Sequence, residues 1–326
     1  MTLTRRTFVA FTGAVLAVAA THAAAAEERE INFGIISTES SSGLKSAWQP
    51  LLDDLQKATG LKVNAFFAPD YAGVIEAMRF NKVQVAWFGN KSAMEAVDRA
   101  RGEVFAKVIA ADGTEGYYSL LIVNKDSPLR SLDDVLRQRS GLVLGYGDPN
   151  STSGTLVPGY YAFAKNDVDP LKDFKRTVRA NHESNLLAVA TRQVDVATNN
   201  TENWARFVAT HPEQARQVRE IWRSVLIPSD PLVWREDLDP TIKRQLKDFF
   251  LAYGKEAREK DVLAKLTYSG FHASSNQQLL PIRQLELARQ RSQVAGDDKF
   301  SAQEKSVRLK EIDDKLAALS QQAPAR

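Results

Sequence analysis

Residues 147–154, "GDPNSTSG", place three consecutive hydroxyl groups, those of Ser151, Thr152 and Ser153, before a glycine. The apolar spacing after this stretch predicts a helix from Thr155. Hydroxyl groups and the unpaired backbone N–H groups of a helix N-terminus together suit an oxyanion. Ser, Thr, Asn and Asp are also common helix caps, so a capping loop without a ligand explains the same residues.

Other candidate residues fall into two groups by charge. Tyr71 and His182 are hydrogen-bond donors that suit an anion, whereas Glu202 in "NNTEN" and Asp230 in "PSDP" suit a cation. Each acid also has a structural explanation, because acids are favoured in the first turn of a helix and aspartate is a common turn residue before proline. A role as an ordinary aromatic residue of a strand explains Tyr117 as well as a role in binding does.

Sequence motifs of catalysis are absent. The chain has no HExxH pair, no GxSxG and no Walker loop, and the loop from Asp148 lacks the calcium-loop spacing. A Ser151–His182–Asp230 triad can be drawn, but a protein of this size always permits such a drawing. The sequence therefore predicts a binding protein without a metal or another cofactor rather than an enzyme.

Residues 1–26 have the order of an export signal. Arg5 and Arg6 precede an apolar run and an alanine-rich stretch that predicts cleavage after Ala26. The paired arginines resemble the twin-arginine signal, and an ordinary signal peptide remains the alternative. The 13-residue apolar run, 8–20, is too short to span a membrane.

The amino-acid composition excludes several kinds of site and partner. The chain has no cysteine, which excludes disulfides and thiolate sites and also leaves no acceptor for a lipid at the cleavage site. Without the leader, 41 basic residues face 40 acidic ones, a net charge of +1 that gives no reason to expect nucleic acid as a partner. The sequence predicts an exported, soluble protein, and about 300 residues suffice for two domains.

Short apolar runs alternate with amphipathic segments. The pattern predicts strands at 31–36, 61–68 and 83–89 with helices at 43–60 and 70–81, hence mainly parallel sheets covered by helices. The chain after about residue 240 is predicted to be helical throughout.

A repeat at a constant offset of 111 residues relates the two halves. Gly34 corresponds to Gly145, Ser40 to Ser151, Tyr71 to His182 and Asn90 to Thr201. These positions fall at strand ends and helix starts, where open α/β sheets bind ligands. The repeat predicts two similar α/β lobes around one cleft, and it favours a functional role for residues 147–154. The predicted boundaries are 27–117 with 222–295 for lobe 1, 118–221 for lobe 2, and 296–326 for a C-terminal helix and tail.

The predicted terminal helix, 301–322, carries a single apolar stripe. Its members, Leu309, Ile312, Leu316 and Leu319, follow the 3-4-3 spacing of a coiled coil. A homodimer through this helix and docking of the helix onto lobe 1 explain the stripe equally well.

Blocks along the whole chain after the leader resemble the phosphonate-binding periplasmic proteins of phosphonate ABC importers. They include "NFGIISTES", "KVNAFFAPDYAG", "GDPNSTSG", "QVDVATNNTEN" and "LPIRQL". The resemblance implies a type II periplasmic binding fold that closes on an alkylphosphonate, with 2-aminoethylphosphonate favoured, and delivers it to a membrane permease. It places phosphonate contacts on Tyr71, Ser151, Thr152, Ser153 and His182, and contacts to the amine on Tyr117, Glu202 and Asp230.

Three alternatives remain at this point. The same module could bind phosphite, phosphate or methylphosphonate, although Glu202 and Asp230 argue against ligands without an amine. A secreted hydrolase of phosphonate or phosphate esters would need metal ligands that the sequence lacks. A phosphonate-sensing partner of a membrane receptor would share the cleft and differ only in its docking surface.

Overall fold

Two β-sheets covered by helices organise the part of the chain that the computed structural model describes, residues 29–322. The predicted leader, 1–26, and the last four residues of the predicted tail lie outside the described residues. No helix within 29–322 is long and apolar enough to cross a membrane.

The first sheet has six strands and contains the N-terminal end of the described chain. In sheet order the strands are β11 (Tyr268–Ala273), β4 (Gly102–Ala110), β10 (Pro231–Arg235), β3 (Val85–Trp87), β1 (Glu30–Ile35) and β2 (Lys62–Phe67). The helices that cover it are α1 (Ser41–Thr59), α2 (Tyr71–Arg79), α3 (Asn90–Arg99), α8 (Pro240–Ala252) and α9 (Ala257–Lys265). We call this sheet with its helices lobe 1.

The second sheet has five strands. In sheet order they are β7 (Arg176–Arg179), β6 (Val143–Tyr146), β8 (Val196–Asn200), β5 (Gly116–Asn124) and β9 (Val218–Pro228). Its helices are α4 (Leu132–Gln138), α5 (His182–Ala190), α6 (Thr201–Thr210) and α7 (Pro212–Ala215), with two π-helical turns, Thr152–Leu156 and Gly159–Phe163. We call this sheet with its helices lobe 2.

Five strands of the first sheet, all but β11, follow the same order as the five strands of the second, so the predicted repeat is confirmed. Gly34 pairs with Ala86 in the first sheet, and Gly145 pairs with Ala197 in the second, both in parallel register. The helices α2 and α5 start at Tyr71 and His182, 111 residues apart, and α3 and α6 start at Asn90 and Thr201, again 111 residues apart.

Two expectations about the sheets are wrong. The sheets are mixed, because strands that come after a crossing between lobes, such as β5 and β10, run antiparallel to their neighbours. The chain after residue 240 is not helical throughout, since β11 pairs with β4 at a sheet edge. Tyr268 and Phe271 on β11 are buried, as aromatic strand residues often are.

The chain crosses between the sheets at 111–115 and at 229–230. Strand β9 stays in the second sheet up to Pro228, so residues 222–228, which the sequence pattern assigns to lobe 1, pair with β5 instead. A long antiparallel ladder with β5 holds them there. We propose that the lobe boundaries follow the sheets.

The C-terminal helices form an antiparallel pair. Helix α10 (Leu280–Gly296) is followed by α11 (Ala302–Gln322), with an ion pair of 2.7 Å between Arg291 Nε and Asp313 Oδ1. Ile312 from the apolar stripe is buried, and the other three stripe residues are half-buried. Packing within one chain thus covers part of the stripe, and a dimer through it remains a prediction.

Candidate functional site

The loops after β1, β3, β6 and β8 meet between the two lobes, because the carboxyl ends of these parallel strands face each other across the cleft. Every predicted site residue lies at this place and is at most 7% exposed. They are Tyr71, Tyr117, Ser151, Thr152, Ser153, His182, Glu202 and Asp230.

The loop 147–154 is shaped by close backbone approach. A Cβ on Gly147 would lie 2.6 Å from Gly154 Cα, so both positions require glycine. Ser151 Oγ accepts a hydrogen bond of 2.9 Å from Gly154 N and caps the first π-helical turn. The helical segment thus starts at Thr152, three residues before the predicted start.

Both His182 and Ser153 are positioned by Asn200. Asn203 N donates to Asn200 Oδ1, which fixes the amide so that its Nδ2 points to Ser153 Oγ at 2.9 Å and to His182 Nε2 at 3.3 Å. Asn200 Nδ2 also donates to Asn203 Oδ1 at 3.0 Å. Because an amide NH₂ can only donate, its contact with Nε2 favours the tautomer in which Nε2 accepts and the ring proton is on Nδ1. His182 Nδ1 has no hydrogen-bond partner among residues 29–322. It is therefore a buried ring nitrogen whose hydrogen-bonding capacity is unused within the described residues.

The ring of His182 is neutral. Burial, with a smaller contribution from the charge of Arg206, lowers the pKa of His182 to about 3. Tyr71 is also neutral, because burial first, and then the charges of Asp148 and Asp230, raise the pKa of its phenol well above the usual value. The anion-facing side chains therefore offer hydrogen bonds rather than a positive charge.

Thr152 contacts both lobes. Its Oγ1 accepts a hydrogen bond of 2.8 Å from Lys91 N, at the start of α3 in lobe 1. A hydroxyl that accepts in this way keeps its own proton for another acceptor. Thr152 can hence donate to a ligand while joining the lobes.

The acids Glu202 and Asp230 belong to the same buried cluster. Tyr117 Oη donates to Asp230 Oδ1 at 2.8 Å, and Glu202 Oε1 has no partner among the described residues. Burial raises the pKa of Glu202 to about 7 against the opposing charge of Arg206. Burial, and next the charge of Glu202, raise the pKa of Asp230 well above its usual value. Two ionised carboxylates here are unfavourable unless a cation joins them.

An ion pair between the lobes was missed at the sequence level. Arg206 Nε donates to Glu39 Oε1 at 2.5 Å, and Asn203 Nδ2 donates to the same oxygen at 3.0 Å. Both charged side chains are at most 14% exposed. The sequence did give one reason to consider Arg206: it lies four residues after Glu202 and therefore on the same helix face.

The model of the family described as the periplasmic phosphonate substrate-binding protein of ABC transporters matches residues 33–279 of this chain. The chain belongs to this family. It is thus a periplasmic substrate-binding component that works with an ABC permease, and the resemblance seen in the sequence is confirmed.

Two relatives are named for the binding of phosphonates and for the import of phosphate. The phosphonates-binding periplasmic protein of Escherichia coli K12 is 56% identical over 290 residues, which cover 89% of this chain and 86% of the relative. A phosphate-import protein of Mycolicibacterium smegmatis is 28% identical over 231 residues, 68% of this chain and 70% of the relative.

Solved structures confirm the two-lobed type II periplasmic binding fold. A binding protein of a phosphonate ABC transporter from Pseudomonas aeruginosa has a TM-score of 0.89 and 59% identity, covering 91% of this chain and 98% of its own. The PhnD1 protein of Prochlorococcus marinus, in complex with methylphosphonate, has a TM-score of 0.72 at 20% identity and covers 80% of this chain and 99% of its own.

Proposed function

We propose that this chain binds 2-aminoethylphosphonate between its lobes and delivers it to the membrane permease. In this proposal the cleft has an anion end and a cation end. It acts as a receptor and not as an enzyme, and we propose that it moves in the periplasm without a lipid anchor.

The anion end is formed by five neutral donors, Tyr71, Ser151, Thr152, Ser153 and His182. The free proton of His182 Nδ1 and the unshared hydroxyl proton of Thr152 support this assignment. Helix and π-turn N-termini in both lobes add the positive ends of their dipoles. Three phosphonate oxygens can be satisfied without a charged side chain, which keeps the site dry when the lobes close.

The cation end carries the ligand assignment. The observation that supports it is the buried pair of Glu202 and Asp230: Tyr117 donates to Asp230, and burial raises the pKa values of both carboxyl groups. An ammonium group between two carboxylates gains charge-assisted hydrogen bonds and removes their repulsion. A phosphonate without an amine leaves that repulsion in place, so the pair also discriminates against such ligands.

The test compares 2-aminoethylphosphonate with ethylphosphonate by calorimetry. Glu202→Gln and Asp230→Asn keep the side-chain shape and remove the charge. We expect each to weaken binding of 2-aminoethylphosphonate by about 2 to 4 kcal/mol, the range for breaking a buried charged pair. Binding of ethylphosphonate should be unchanged or tighter. Glu213→Gln, at an exposed acid of lobe 2 that pairs with Arg216 on the surface, is the matched control and should change neither.

Two results would overturn the ligand assignment. Equal losses for both phosphonates would mean that the acids hold the fold rather than bind the amine. Tighter binding of phosphate, phosphite or methylphosphonate than of 2-aminoethylphosphonate would favour the alternative receptor, for which the names of two relatives give a reason. Hydrolysis of a phosphonate or phosphate ester by the purified protein would contradict the receptor role.

A further inference from the structure

The helix N-termini of lobe 1 that face the cleft receive hydrogen-bond acceptors from lobe 2. Ser40 N, at the N-cap of α1, donates to Glu183 Oε2 at 2.7 Å. Tyr71 N, at the start of α2, donates to Asp148 Oδ2 at 3.2 Å, and Lys91 N in α3 donates to Thr152 Oγ1 at 2.8 Å. Each acceptor follows β6 or begins α5, on the opposite side of the cleft.

At α1 the partner lobe supplies the missing half of a capping box. In α4 the acid at the third helical position, Asp134, accepts from the N-cap N–H of Ser131, and in α9 Glu259 does the same for Glu256. The corresponding position of α1 is Gly43, which has no side chain to offer. Glu183 takes that role from lobe 2 and lies at its own helix start, so its carboxylate meets two helix N-termini.

At α3 the N-cap residue itself lacks a side chain. It is Gly89, with φ −75° and ψ 161°, a conformation open to any residue, so the backbone does not require glycine. A Cβ at Gly89 would approach Thr152 Oγ1 to 3.3 Å. The missing side chain leaves room for Thr152, whose hydroxyl accepts from the second N–H of α3 as an N-cap side chain would.

We infer that lobe 2 caps helices of lobe 1, and that this capping between lobes, rather than ligand contact alone, sets the free energy of closure. Glu183 and Gly89 are then positioning residues for ligand binding. When the lobes separate, the three N–H groups pass to water. Closure regains these hydrogen bonds whatever lies in the cleft, so they contribute equally to every ligand. The expected effect of this capping on ligand affinity rests on the proposed function, whereas its expected effect on the distance between the lobes does not.

The absence of cysteine permits a direct measurement of lobe distance. Spin labels on Lys57→Cys in lobe 1 and Lys172→Cys in lobe 2 report the distance distribution with and without 2-aminoethylphosphonate. Glu183→Ala should shift the ligand-free distribution towards longer distances. It should also weaken 2-aminoethylphosphonate and ethylphosphonate by the same factor, about 10-fold for one hydrogen bond to a charged acceptor. Asp133→Ala, an acid in the first turn of α4, is the matched control and should change neither.

Gly89→Ala separates closure from the stability of lobe 1. Alanine restricts the unfolded chain and suits the backbone of Gly89, so the Tm of the ligand-free protein should stay or rise. The added methyl group opposes the approach of Thr152, so the distances should lengthen and both affinities should fall by the same factor. If Gly89 only supported the structure of lobe 1, Tm and affinity would fall together.

Three outcomes would contradict the inference or the proposed function. If Glu183→Ala matches Asp133→Ala in both distance and affinity, capping between lobes does not control closure. A fall of Tm together with affinity in Gly89→Ala would place the role of Gly89 within lobe 1 and contradict the inference there. If the unaltered protein binds neither phosphonate, the proposed function is wrong, and the ligand-free distances of the variants still decide the inference.

Discussion

Thr152 shows how one side chain can serve two parts of the site. Its oxygen accepts from Lys91 N across the cleft, and its proton remains for a phosphonate oxygen. The two neighbouring hydroxyls are bound within lobe 2, where Ser151 Oγ accepts from Gly154 N and Ser153 Oγ accepts from Asn200 Nδ2. Among the three residues, loss of the hydroxyl group should therefore weaken ligand binding most at Thr152.

Thr152→Ala should weaken binding of every phosphonate alike. It removes one donor to the headgroup that all these ligands share, at about 1 to 3 kcal/mol, and one hydrogen bond between lobes. Thr152→Ser keeps the hydroxyl and is the control, with a smaller loss. Calorimetry with 2-aminoethylphosphonate and ethylphosphonate measures both. A loss confined to the ligand with an amine would contradict the assignment of Thr152 to the anion end.

The acid pair makes binding depend on pH. Because the pKa of Glu202 is raised to about 7, the ligand-free pair retains a proton at pH 6. An ammonium group needs the ionised carboxylates, so at pH 6 the unaltered protein should release more protons on binding 2-aminoethylphosphonate than Glu202→Gln does. Calorimetry in two buffers of different ionisation enthalpy measures this release. Equal release by the two proteins would mean that Glu202 is not the group that titrates.

The same raised pKa predicts the sign of a stability change. A folded pKa of Glu202 of about 7, above the usual 4.5, means that the folded protein binds more protons than the unfolded chain between these values. The stability contribution of Glu202 therefore falls as pH rises through this window, by up to about 3 kcal/mol. Ligand-free Glu202→Gln should gain stability relative to the unaltered protein between pH 5 and pH 8 in thermal unfolding.

At the scale of elements, the sequence predicted the features that have a local pattern. The helix starts at Tyr71 and His182 and at Asn90 and Thr201 were placed by the 111-residue repeat, because a strand end and a helix cap have local signatures. The strand β11 was not predicted, since "YSGFHA" alternates too briefly to show a period of two.

Contacts between lobes left almost no trace in the sequence. Glu183 and Ser40 are 143 residues apart, and their hydrogen bond involves a backbone N–H that any residue but proline could supply. Besides Arg206, the glycines at 43 and 89 are a signal, because a third helical position or an N-cap without a side chain leaves a cap to be supplied from elsewhere. The candidate ligand residues were assigned through the family resemblance, and the structure brings them together without showing their roles.

At the scale of the whole molecule, the closed arrangement rests on more than capping. The ion pair between Glu39 of lobe 1 and Arg206 of lobe 2 is buried, and Arg206 Nη1 also donates to Thr267 Oγ1 of lobe 1 at 3.2 Å. Arg206 lies one helical turn from Glu202, at the cation end of the site. In this arrangement Arg206 is engaged with Glu39, and Glu202 Oε1 has no hydrogen-bond partner among the described residues.

This arrangement predicts that Glu39 affects amine recognition without belonging to the cation end. In Glu39→Gln the charge of Arg206 is no longer balanced by lobe 1, and its nearest acid is Glu202, four residues away on the same helix face. Arg206 would then compete with the ligand's ammonium group for Glu202. Ethylphosphonate should lose only the contribution of the ion pair to closure, about 1 to 2 kcal/mol, while 2-aminoethylphosphonate should lose about 2 to 4 kcal/mol.

Calorimetry of the two ligands against Glu39→Gln checks this difference, with Glu76→Gln as the control at a surface acid of lobe 1 that also pairs with arginine. An exposed pair contributes little, so the control should change binding by less than about 1 kcal/mol for either ligand. Combining Glu39→Gln with Glu202→Gln should remove the extra loss for the amine, because Glu202 then no longer offers Arg206 a carboxylate to neutralise. If Glu39→Gln weakens both ligands equally, the ion pair only holds the lobes together, and Arg206 does not tune the charge of Glu202.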